Sequence, residues 1–167
     1  MEECEKFIIE LKKFSNEILD LGEPINDNRI KEFELKYNVN LPEDYNYIIS
    51  KINGFSLMSD EVYGIYNVDL VGETLEKVYI YEHNEVYFPQ FDYLVPFCPD
   101  GGGNFYCFDT RYRTNNNQSC SVIFWTSNYN YNDLDLPEIV YNSFIDCVQE
   151  IFIDWTIENY DYEGNEK

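Results

Sequence analysis

His83 is the one histidine in this chain of 167 residues, so any Cys–His or Ser–His dyad would have to use it. Nucleophilic catalysis needs a base beside the nucleophile, most often a histidine. His83 is flanked by Glu82, Asn84 and Glu85, and no G-x-S-x-G elbow occurs anywhere. Its setting reads as a solvated surface histidine. Five cysteines (Cys4, Cys98, Cys107, Cys120 and Cys147) are odd in number and widely spaced, with no C-x-x-C pair. That pattern is neither a disulfide framework nor a zinc site, and it fits buried free thiols in a reducing cytosol. Oxygen ligation of Mg²⁺ or Ca²⁺ stays open, since carboxylates abound. Asp133 and Asp135 alternate, but no calcium loop of the D-x-[DN]-x-[DN]-G type surrounds them. Nothing singles out two carboxylates for glycoside hydrolysis. Gly101-Gly102-Gly103 has neither a following helix nor a lysine to cradle phosphate, and Asp100 and Asp109 would repel it. The run reads as a tight hairpin turn, and no cofactor or metal is expected.

Charge says more than any motif. The chain holds 32 Asp and Glu against 11 Lys and Arg, a formal net charge of −21. Such a surface repels nucleic acid and anionic lipid, and it speeds encounter with basic macromolecules. The bland alternative is simple solubility. An apolar fraction of 44% with 18% aromatics separates the chain from a disordered acidic tail. The 16 Tyr and 12 Phe supply material for strands and for interfaces. The N-terminus is acidic where a signal peptide would be basic, and no apolar run approaches a membrane span. Location in the cytoplasm, no membrane contact and a single domain over 1–167 are the expectations.

The elements that must position these residues follow from periodicity. Cys4, Phe7, Ile8, Leu11, Phe14 and Ile18 predict an amphipathic helix over 2–20. A second starts at Asn26 or Asp27 and closes at Asn38. A third starts at Pro42, buries Tyr45, Ile48, Ile49 and Ile52, and stops at Asn53-Gly54. Tyr63–Val71, Tyr93–Cys98, Asn104–Thr110 and Ser121–Trp125 read as strands, with Thr110–Ser119 a hairpin loop. Residues 74–86 suit either state and lean to helix. A last helix, capped by Asn142 or Ser143, carries Phe144, Cys147, Val148, Ile151, Phe152 and Trp155. The tail after Asn159 is acidic and expected to fray. Helices, then strands, then one helix argue an α+β fold with helices packed on an antiparallel sheet.

Four segments resemble the SUKH superfamily, the Smi/Knr-like proteins. Ile30-Lys31-Glu32-Phe33-Glu34, Leu41-Pro42-Glu43-Asp44-Tyr45, Ile48-Ile49 and Asn53-Gly54 are similar to its I-x-x-x-E…L-P-x-x-Y block. Leu94-Val95-Pro96-Phe97 with Asp100 to Asp109 resembles its glycine hairpin, Val122–Trp125 the next strand, and Ser143-Phe144 the opening of the last helix. Together these cover roughly 26–157. Two departures are Phe55 where a second glycine is common, and Thr126-Ser127-Asn128 where a histidine is common.

The resemblance implies helices around a mixed, mostly antiparallel sheet. It implies a non-enzymatic immunity protein that binds and neutralises a toxin, often a nuclease. Fungal relatives are regulatory scaffolds instead, which is the second reading; a carboxylate or metal hydrolase is the third. The excess negative charge favours a basic toxin. Leu41, Pro42, Tyr45, Gly54, Gly102, Gly103, Trp125 and Phe144 are expected to hold the fold. Partner contacts are expected at Tyr63, Tyr66, Asp69, Asp109, Tyr129, Tyr131, Asp133 and Asp135.

Overall fold

Glu2, Glu3 and Glu5 occupy the first turn of helix α1 (Glu2–Leu11), where the helix dipole favours negative charge. Cys4, Phe7, Ile8 and Leu11 form its buried stripe. The computed structural model describes residues 1–66, 72–116 and 118–167. The predicted helix over 2–20 is shorter than its apolar spacing suggests. Ser15 ends it locally: its hydroxyl accepts from Glu17 N–H, and its backbone N–H donates to the Tyr162 carbonyl. Serine offers the backbone an alternative to the helix ladder, and the chain then enters strand β1 (Leu19–Leu21).

Helix α2 (Asp27–Tyr37) forms as its ends dictate. The Asn26 side chain accepts from Arg29 N–H, and Asn38 closes the helix in the left-handed region at φ 53°. Pro42 stands just outside α3 (Glu43–Ile49), in extended conformation. The stretch between the two helices shows what Glu34 does: its carboxylate accepts from Leu41 N–H at 2.8 Å. Arg113 completes this corner by donating to the carbonyls of Asn40 and Leu41.

Two antiparallel sheets follow. The first has the order β1-β2-β3, with β2 Phe55–Leu57 and β3 Asp60–Val62. The second has the order β4-β5-β6-β7, with β4 Leu94–Pro99, β5 Phe105–Asp109, β6 Val122–Trp125 and β7 Glu138–Tyr141. Tyr63 N–H donates to the Phe97 carbonyl at 2.7 Å, which ties the first sheet to the second. The strand expected over Tyr63–Val71 lies partly outside the described residues, and Tyr63 to Tyr66 are not strand. Asn53 explains the change. It brackets Ile65, donating to its carbonyl and accepting from its N–H, both at 2.8 Å. Gly54 is therefore no helix cap, since α3 already ends at Ser50. It sits at φ +84°, and a Cβ there would stand 2.6 Å from Gly64 N.

The ambiguous stretch is helix α4 (Leu75–Asn84), capped by Thr74, whose hydroxyl accepts from Lys77 N–H. The last helix opens at α5 (Phe144–Val148), with Ser143 accepting from Asp146 N–H. It widens into a π-helical turn over Gln149–Asp154 and ends as α6 (Trp155–Asn159). The tail packs back beside α1. Tyr162 packs on Phe14 at a 5.0 Å ring separation and donates to Glu10, while Tyr160 and Glu166 form a bridge.

Helices α3 and α5 cover one face of the second sheet, while α4 reaches the other face through Glu82 and Trp125. Tyr45, Phe97, Phe108 and Phe144 meet on the first face with ring centroids 4.3–5.6 Å apart. The Tyr45 hydroxyl is satisfied by the Tyr63 carbonyl at 2.7 Å. On the opposite face Leu94, Cys107, Ile123 and Trp125 form a smaller cluster under Phe91 and Tyr131. The architecture is the expected α+β, with every pairing between named strands antiparallel.

Candidate partner-binding surface

Acidic side chains converge where the last helix crosses the rim of the second sheet. A cavity of ≈ 400 Å³ is lined by Asp60, Asp100, Glu150, Asp154 and Glu158, together with Tyr106 and Trp155. None of its lining residues is basic. Glu150, Asp154 and Glu158 recur every four residues, which places them on one wall. Like charges at this spacing disfavour an isolated helix by about 0.2–0.5 kcal/mol per pair. The wall lies in and just beyond the π-helical turn, a local widening that recurs at functional sites. Trp155 stands 46% exposed at the opening.

Three of the five carboxylates are held by hydrogen bonds. Tyr141 donates to Glu150 at 3.2 Å, and Gln149 donates to Asp154 at 2.7 Å. Asp100 belongs to the glycine turn and accepts from Gly102 N–H and Asn104 N–H at 2.7 and 2.8 Å. Burial pushes its carboxyl up, but the Asn104 and backbone hydrogen bonds outweigh that and hold it below the usual range. Asp60 is pushed up by burial. Gly101 and Gly103 take φ of 76° and 94°, while Gly102 contributes its N–H to Asp100. Six of the 11 cations are engaged elsewhere. Lys6, Lys13, Arg29, Lys36, Lys77 and Arg111 each pair with a carboxylate outside the cavity.

The residues expected to contact a partner divide sharply. Tyr63 is only 4% exposed, because its backbone joins the two sheets. It is therefore no surface anchor. Asp109 is equally buried; Arg111 grips both its oxygens at 2.8 and 2.9 Å and stacks on Tyr93. That carboxylate is engaged inside the protein and does not face a partner. Tyr66 is half-buried under the Arg29 guanidinium, 4.3 Å from its ring centre. Asp69 lies outside the described residues. Tyr129, Tyr131, Asp133 and Asp135 are brought together on the β6–β7 loop, with the Tyr129 hydroxyl bonded to Asp135. Tyr131 packs against Trp125 at 4.7 Å.

One buried carboxylate anchors that loop. Glu82, on α4, is fully buried and accepts from Trp125 Nε1 at 3.1 Å and from Ser127 Oγ at 2.8 Å. Ser127 N–H in turn donates to the Asn104 side chain at 3.3 Å, joining the loop to the glycine turn beside the cavity. Replacement of Glu82 by Leu orphans the buried indole N–H, and the expected loss is about 2 kcal/mol of stability. Urea unfolding checks it, and amide exchange at Ser127 should accelerate in the same variant.

His83 is not the solvated residue its neighbours suggested. It is half-buried, stacked 3.9 Å from the Tyr79 ring, with its nitrogens 2.8 and 3.3 Å from the carbonyls of Tyr79 and Phe91. Both nitrogens face backbone carbonyls rather than a cysteine or serine side chain. All five cysteines are free and buried. Burial pushes the Cys4 and Cys120 thiols up to about 11, out of the reactive range. Among the described residues no group of three His, Cys, Asp or Glu is placed to hold a metal ion, and no helix is long and apolar enough to cross a membrane.

Helices on antiparallel sheets, a glycine turn at the rim and an acidic, aromatic-edged opening together make up this α+β domain. The SMI1 / KNR4 family (SUKH-1) model matches residues 24–150, and the chain belongs to that family. No curated protein matches it. The spacing that escaped sequence reading was Glu150-x-x-x-Asp154-x-x-x-Glu158: it was visible, but nothing in the sequence placed it against Asp60 and Asp100.

Proposed function

We propose that this protein is a cytoplasmic immunity protein that neutralises a basic protein toxin, a nuclease by preference, through direct binding and without turnover of its own. The supporting observation is the cavity walled by five carboxylates with no cation among its lining residues. A Lys or Arg side chain entering it meets negative charge on several sides, and Trp155 at the opening offers a face for cation–π contact. The net charge of −21 adds long-range attraction. Membership of the SMI1 / KNR4 family supports a binding role, because its bacterial members are often immunity proteins. Single-domain organisation over 1–167 and a reducing compartment are part of the same reading, the latter supported by the five buried free thiols.

The test is capture from the host of origin, followed by kinetics with the captured protein. Association should approach ~10⁸ M⁻¹s⁻¹ at low salt and fall steeply as salt rises. The double variant Asp154→Lys/Glu158→Lys should slow association at low salt by roughly tenfold or more while leaving the thermal midpoint close to wild type. A stoichiometric complex that leaves the captured enzyme fully active would refute neutralisation. Recovery of signalling proteins with no toxic activity would favour the scaffold reading instead.

A further inference from the structure

Strand β7 is the outer strand of the second sheet, and β6 is its one strand neighbour among the described residues. No backbone hydrogen bond from Glu138–Tyr141 reaches any other described segment. Edge strands of this kind template pairing, and proteins ordinarily blunt them with lysine, proline or a covering element. This edge carries no lysine, and its one proline, Pro137, stands outside the strand at its entry; the approach is apolar, with Leu134 98% exposed, Leu136 62%, Ile139 57% and Val140 37%. All the charges from Thr126 to Asn142 are negative, namely Asp133, Asp135 and Glu138.

We infer that β7 accepts an extended, basic and apolar segment of a partner protein as a fifth strand of the sheet. The register defines its pattern. Tyr106, Phe124 and Glu138 stand opposite one another across β5, β6 and β7, on the face that carries the acidic cavity. Cys107, Ile123 and Ile139 align in the same way on the other face. A strand added beyond β7 therefore presents one residue beside Glu138 and the next beside Ile139, which selects a cationic side chain followed by an aliphatic one; the register shift at Val140 ends that alternation before Tyr141. Tyr141, at the end of β7, already contacts Glu150 of the cavity wall, so the basic side of the added strand faces the acidic opening. The Asn142 carbonyl is taken by the Thr114 hydroxyl at 2.7 Å, which marks where the open edge stops. A second copy of this chain is disfavoured as occupant, because it would set Asp133, Asp135 and Glu138 against like charges. The inference rests on the proposed capture of a basic protein for the sign of the partner's charge, and on the free edge for its shape.

The probe is a synthetic peptide alternating Lys and Val, with two controls: the same peptide N-methylated at alternate residues, and a Glu-for-Lys version. Peptide binding to the wild-type protein is followed by backbone amide NMR. The expected result is saturable slowing of exchange within Glu138–Tyr141, with the N-methylated peptide weaker by about tenfold or more and the Glu version silent. Absence of protection at those amides overturns the inference, as does equal binding of the N-methylated peptide. Protection that grows with protein concentration in the absence of peptide overturns it in favour of self-pairing. The Asp154→Lys/Glu158→Lys variant separates the two readings: it should slow toxin capture while still showing peptide-dependent protection at β7.

Discussion

Replacing Phe108 by Ala is expected to destabilise the protein by about 4 kcal/mol, the range found for buried aromatic truncations. Phe108 is fully buried and touches three other rings: Phe97, stacked at 4.3 Å, Tyr45 at 5.1 Å and Phe144 at 5.6 Å. These come from β4, α3 and α5, so the cavity opens where the helix layer meets the sheet. Neighbours cannot collapse into it easily, because Tyr45 is tethered through its hydroxyl to Tyr63. For a chain of this size each kcal/mol moves the midpoint by roughly 2–4 °C. Calorimetry should therefore show a fall of about 8–16 °C. A loss below about 1 kcal/mol would mean that the layers are not coupled through this cluster.

Asp44→Asn is expected to act in the opposite direction. Asp44 is buried at the start of α3, and one of its oxygens accepts from Tyr45 N–H at 2.9 Å. Burial pushes its carboxyl up to about 6, against the smaller opposing pull of the Ser119 hydroxyl and nearby backbone N–H groups. The folded state therefore holds the proton more tightly than the unfolded chain, in which an aspartate titrates near 3.9. Between those values the native protein binds more protons, so stability falls as pH rises. Below about pH 4 the group is protonated in both states and costs nothing. Above about pH 6 it must ionise in a buried site, at a cost on the order of 3 kcal/mol. Asparagine keeps the oxygen that accepts from Tyr45 and removes the charge. The variant should gain about 2–3 kcal/mol at pH 8 and almost nothing at pH 4. Urea titrations at the two pH values measure the difference. An equal effect at both would mean that Asp44 carries no ionisation cost.

Much of the fold was legible because its signals are local. Asn26, Asn38 and Ser143 act as caps through bonds to residues within four positions. The glycine turn needs only positive φ at Gly101 and Gly103 and the Asp100 carboxylate between them. Where prediction failed, a distant partner had intervened. The helix over 2–20 was cut short where Ser15 meets the Tyr162 carbonyl, and Tyr162 belongs to the tail expected to fray. β7 escaped notice because its four residues become a strand only by pairing with β6.

The surface followed the same division. Tyr129, Tyr131, Asp133 and Asp135 share one loop in the sequence and one loop in space, and were found together. Tyr63 and Asp109 carry the same residue types, yet one bridges two sheets and the other is gripped by Arg111. By itself the amino-acid order determined the helix starts, the turn, the family and the sign of the surface charge. Each of these depends on residue type and short-range spacing. Only the tertiary structure decided which carboxylates stand free and which are buried, and it alone gathered Asp60, Asp100 and Asp154 around one opening. The physical reason is distance along the chain: exposure and convergence are set by packing between elements far apart in sequence, and no local pattern records which element will lie against which.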